Sequence, residues 1–153
     1  MIAYICSIAL QVSTQLTCPN MPLVRDDFHK INSLEDTEKF IKLYRSEFCD
    51  RYTIYIASAV MRQAEYVSWP FTKLKFFKEG KSELEDYIET HPDDVEARYA
   101  RYMIQSHVPE ILGYHKEMKT DKEFILKNLD KSDIPAAYQA FMKENILKIN
   151  QKH

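Results

Sequence analysis

The 153-residue chain contains only two glycines, Gly80 and Gly113. That scarcity limits its folds more than any other feature. Tight hairpins and bulges need residues at positive φ, which glycine supplies at the lowest steric cost. A β-sandwich or barrel would lack material for its corners, whereas helices joined at proline- and aspartate-marked corners need far less. The sequence therefore predicts an all-α fold. Its length predicts a single domain, and a hydrophobic fraction of 45% is enough to build a core.

The helix punctuation is regular from Ser33 onward. Ser33 with Asp36, Asp93 with Glu96, and Thr120 with Glu123 have the spacing of capping boxes. Ile41, Tyr44 and Phe48 form one apolar stripe. Residues 52–67 are apolar on nearly every side, as a central helix covered by neighbours would be. Pro70 suits a first helical turn, and Phe71, Leu74, Phe77, Leu84, Tyr87 and Ile88 continue a long stripe interrupted by Gly80. A helical glycine costs about 1 kcal/mol against alanine, so Gly80 is expected to admit a neighbouring helix at close range. His91-Pro92-Asp93 ends that helix. The next carries Val95, Tyr99, Tyr102 and Met103, and the last, opened by Ser132 to Pro135, carries Tyr138, Phe141, Met142, Ile146 and Ile149. These elements predict an antiparallel array or bundle of about five main helices within residues 21–153 as one domain, with residues 1–20 standing apart.

Ile2 to Leu10 is apolar but far shorter than the roughly 20 residues that span a bilayer. No Lys or Arg precedes it, and Pro19 follows Cys18. A degenerate or truncated export signal and a packed N-terminal arm are both open readings. The three cysteines, Cys6, Cys18 and Cys49, are odd in number and widely spaced, which predicts free thiols. With 21 basic and 23 acidic side chains and a net charge of -2, the chain lacks the positive field of a nucleic-acid binder. It also lacks a basic amphipathic helix of the membrane-surface kind.

The helix ending in Tyr87 to Pro92 and restarting at Asp94 to Tyr99 resembles the junction between two tetratricopeptide repeats, where a proline closes one helix pair. A longer match runs from Tyr55 to Leu129. Pro70-Phe71, Gly80-Lys81, Arg98-Tyr99, Arg101, Ile104-Gln105, Leu112-Gly113-Tyr114, Asp121 and Phe124 resemble a family of uncharacterised bacterial helical proteins. The resemblance implies a helical fold and, because those proteins typically begin with a signal peptide, an exported or periplasmic location. If residues 1–18 are no signal, the location is cytoplasmic. The resemblance supplies no activity.

Asp94, Arg98, Arg101 and Gln105 recur at spacings of four, three and four and share one helical face. Two guanidiniums there would suit a carboxylate or phosphate; the alternatives are a solvated face or pairing with acids such as Glu85 and Asp121. Tyr114 and His115 beside the Gly113 loop complete the candidate residues. His91, His107 and His115 lack metal-ligand spacing, and neither a nucleophile elbow nor a phosphate-cradling loop is present. No metal or cofactor is expected.

The leading expectation is a non-enzymatic domain binding a protein or peptide through a groove at Arg98, Arg101 and Gln105. A small enzyme or anionic-ligand binder with a pocket at Arg98, Arg101, Tyr114 and His115 is the alternative. A self-associating structural subunit is the third reading.

Overall fold

The structure, a computed structural model, describes residues 18–150. Among these residues every regular element is helical: α1 (Met21–Lys30), α2 (Leu34–Arg45), α3 (Thr53–Tyr66), α4 (Pro70–Thr90), α5 (Val95–Gln105), α6 (Met118–Asn128) and α7 (Ala136–Asn150), with short 3-10 turns between some of them. The all-α expectation holds, but seven α-helices replace the expected five. Helix α1 is an element that the punctuation from Ser33 onward does not mark. Asn20 precedes it, Pro22 occupies its first turn, and His29 and Lys30 stand in its last turn, where basic side chains meet the negative end of the helix dipole.

Helix α3 is the centre of the first core. Every residue from Ile54 to Met61 is buried, and α1, α2, α4 and α5 pack around it. Gly80 explains how α4 approaches so closely. A Cβ built there would collide with the Ala57 carbonyl and stand 2.7 Å from Met61 Cγ and 2.9 Å from Met61 N. The close approach expected of Gly80 is therefore between α4 and α3.

A second core joins α5, α6 and α7 through Tyr99, Tyr102, Ile125, Leu129, Met142 and Ile146. Helix α5 belongs to both cores, since Ala97 lies in the first and Val95, Tyr99 and Tyr102 in the second.

One of the three expected capping sites keeps its register. The Asp36 N–H donates to Ser33 Oγ at 3.1 Å, and the Asp36 carboxylate accepts from the Asn32 N–H at 3.2 Å. At α5 the cap is Asp94 rather than Asp93, accepting from the N–H groups of Glu96 and Ala97 at 2.9 and 3.1 Å. Glu96 does not fold back to close a box, because its carboxylate is held by Arg25 and Tyr55. At α6 the helix begins at Met118, so Thr120 lies inside it and caps nothing.

Two further expectations are corrected. Cys18 and Cys49 form a disulfide, with Cα atoms 5.6 Å apart, rather than two free thiols. Folding brings the start of α1 beside the segment after α2, where the Asn20 N–H also reaches Tyr52 Oη at 3.3 Å. Cys6 lies outside the described residues. Phe48 does not extend the stripe of α2: the helix stops at Arg45, and Phe48 is 95% exposed beside the bridged Cys49.

Candidate functional site

The arginine face of α5 is built as its spacing predicts, but protein groups already occupy it. Arg101 donates to both oxygens of Asp121, at 2.7 and 2.8 Å, and to Glu85 at 2.7 Å. Asp121 is fully buried and Arg101 nearly so. Arg98 donates to the Pro92 carbonyl at 2.8 Å and to Asp121 at 3.0 Å, with its guanidinium over the Phe124 ring. Gln105 is fully buried and donates to Glu117 at 2.9 Å. Tyr114 is buried too, donates to Glu85 and lies edge-on to Phe77. His115 meets the Val108 carbonyl at 3.2 Å.

These contacts correct the candidate groove. Arg98, Arg101, Gln105 and Tyr114 form a polar seam that ties α5 to α4 and α6. Burial alone would lower the Arg101 pKa, but its hydrogen bonds and attraction to Asp121 and Glu85 outweigh that and raise it. Burial, then Glu85, pushes the Tyr114 phenol far above its ordinary value. The guanidiniums are engaged internally.

A second seam escaped sequence reasoning because its centre, Glu96, looked like half of a capping box. Glu96 is 1% exposed. It accepts two hydrogen bonds from Arg25, at 2.6 and 2.7 Å, and one from the Tyr55 hydroxyl. Arg51 lies 3.2 Å from it and also pairs with Asp133 at 2.7 Å. The Tyr55 and Tyr138 hydroxyls are 3.0 Å apart, and Tyr138 is 3.2 Å from His29 Nε2. Groups from α1, α3, α5 and α7 thereby meet around one carboxylate. Burial first, then Glu96, raises the Tyr55 pKa well above its ordinary value, and burial raises that of Tyr138. Both phenols are therefore neutral hydrogen-bonding groups at ordinary pH, not bases.

This seam forms part of one wall of an apolar cleft of about 810 Å³. The remaining surface comes from Phe28 of α1, Met61 of α3, Leu74 and Phe77 of α4, Met103 and Ile104 of α5, Ile111 and Leu112 of the following loop, and Phe141 of α7. Much of it is uncovered. Leu74 is 37% exposed, Phe141 38% and Ile111 92%. Outside the cleft, Trp69 and Phe71 flank the lining residue Pro70 at 64% and 73% exposure. Arg62 and Lys73 add positive charge to the lining, and Glu65 and the buried Glu96 add negative charge. His29, against the same cleft, has its pKa lowered by desolvation and by the charge of Arg62.

The first half of the α4 stripe could have pointed to this surface. Phe71, Leu74 and Phe77 repeat at helical spacing, yet only Phe77 is buried. Its lining suits binding of an apolar group, with the Met61 and Met103 side chains able to adapt to shape. Among the described residues, no three His, Cys, Asp or Glu side chains gather as a metal would require, and no helix is long and apolar enough to cross a membrane. Comparison with protein families, curated proteins and solved structures finds no match.

Proposed function

We propose that this chain is a non-enzymatic binding domain that takes an apolar peptide segment of a partner protein into the cleft lined by α1, α3, α4, α5 and α7. The observation that carries this reading is the apolar surface left open from Phe141 and Ile111 across Leu74 toward Trp69 and Phe71. Trp, Phe and Met are the residues enriched at protein interfaces, and contiguous exposed apolar patches mark such sites. The working surface thus moves from the arginine face of α5 to the opening beside α4.

A photoreactive residue replacing Ile111 tests the reading in the native cell. A protein adduct of defined mass should form from position 111, fail to form from position 127 on α6, and weaken with Leu74→Asp. An equal yield from both positions, or no adduct, overturns it.

A small apolar ligand is the second reading, favoured by a volume of about 810 Å³, which lies within the usual range of ligand pockets. Native mass spectrometry of the purified chain would reveal a retained small molecule. The Cys18–Cys49 bridge supports export, since disulfides persist in oxidising compartments. The Pro92 corner and its Asp94 cap support a tetratricopeptide-like reading of the α4–α5 pair.

A further inference from the structure

Resting on the peptide-binding reading, we infer that the segment received by the cleft is an amphipathic helix whose acidic end meets Arg62 and Lys73. The charges lining the cleft are unequal in their freedom. Glu96 is already engaged by Arg25 and Arg51. Arg62 lies over the Phe28 ring and donates to the Phe28 carbonyl at 3.4 Å, but its acid partner, Glu65 of the same lining, is loose at 3.7 Å and 66% exposed. Lys73 is exposed and has no acid partner among the described residues. The cations with capacity for a new partner therefore lie on α3 and α4, beside the uncovered apolar surface.

The stripe on α4 sets the shape of the occupant. Pro70, Leu74 and Phe77 repeat over two turns of helix, and the exposed Trp69 and Phe71 carry the apolar surface beyond the cavity. A helix laid in a groove meets such a surface with anchors spaced three and four residues apart. A small molecule held in the cavity would leave Trp69 and Phe71 uncovered. Carboxylates on the helix would complement Arg62 and Lys73, giving register and orientation more than raw affinity.

Synthetic peptides of about 18 residues, roughly five helical turns, test this with the complete chain. They share one Leu/Phe face, lack Trp, and carry Glu, Gln or Lys in either the first or the last turn. Trp69 fluorescence and calorimetry report binding. One Glu-ended set should bind about 3- to 30-fold more tightly than its Gln counterpart, as two exposed ion pairs allow. Lys-ended peptides should bind most weakly. The preference should shrink in high salt and vanish in Arg62→Gln/Lys73→Gln, with the circular dichroism spectrum unchanged.

Equal binding of all peptides would leave the cleft reading intact and overturn the acidic one. So would a preference for Lys, or a Glu preference that survives the double substitution. If no peptide binds the folded chain, the inference and the reading beneath it both fail.

Discussion

Arg25 and Glu96, 71 residues apart in the chain, meet through two parallel hydrogen bonds of 2.6 and 2.7 Å, with both side chains buried. The pair fixes α1 against α5. Glu96→Gln would leave Arg25 buried without its opposite charge, and losing one partner of a buried pair costs about 3–5 kcal/mol. Denaturant unfolding should show a loss of that size. Arg25→Met/Glu96→Gln should lose less than the two single changes added together. Strict additivity would mean that the pair is not coupled.

The close approach of α4 to α3 gives Gly80→Ala a definite sign. Alanine improves intrinsic helix propensity by about 1 kcal/mol. Its Cβ, however, would stand 2.9 Å from Met61 N as well as against the Ala57 carbonyl, and these backbone atoms yield only if the helices separate. Overpacking of this kind costs about 1–3 kcal/mol. The expected outcome is a net fall in melting temperature. A rise would show that the contact relaxes at little cost.

The Cys18–Cys49 bridge closes a segment of sequence separation 31 that contains α1 and α2. Its removal by Cys18→Ser/Cys49→Ser should destabilise the chain by about 3–4 kcal/mol. Adding dithiothreitol to the unmodified protein should shift its melt in the same direction and leave that of the double variant in place. Thiol labelling of the unreduced protein checks the premise directly, since neither Cys18 nor Cys49 should react.

Desolvation, then Arg62, lowers the His29 pKa, with Asp26 opposing weakly. The unfolded chain therefore takes up this proton more readily than the folded one. The corresponding stability is fully present above the unfolded value of about 6.5 and declines as pH falls toward the folded value. An imidazole titration followed by nuclear magnetic resonance should place His29 below its free value. His29→Gln should remove that part of the acid-side loss. A midpoint above about 6.5 would contradict the expected sign.

Arg101→Met separates structure from recognition. It strands the buried Asp121 carboxylate, apart from its contact with Arg98, and leaves Glu85 with the Tyr114 hydroxyl alone. A loss of about 3 kcal/mol or more is expected. Peptide affinity measured under folded conditions should nevertheless stay within about twofold, a difference below 0.5 kcal/mol. A tenfold loss of affinity would restore the arginine face as a binding surface.

Elements with local signals were legible in the sequence. The apolar girth of residues 52–67 marked the central helix, Pro70 marked the start of α4, and Gly80 marked the close helix contact. Partnerships across the chain were harder to read. Spacing placed Arg98 and Arg101 on one face but could not establish whether solvent, ligand or Asp121 would meet them; Asp121 does. Glu96 hid because a carboxylate at a capping spacing and one beneath a buried arginine look alike in sequence. The cleft depends on an omission: the apolar stripe of α4 is covered near Leu84 and left uncovered near Phe71. Periodicity records that a face is apolar, whereas its covering depends on where the other helices travel.

Helix α5 supplies side chains to both apolar cores and carries Glu96 and Arg101, one from each polar seam. Neither half of the molecule keeps a complete interior without it. The two halves should therefore lose structure together, in one cooperative transition. Amide exchange in α5 should occur only through global opening, with protection matching that of the central helix α3. The shared helix makes two packing units into one thermodynamic unit.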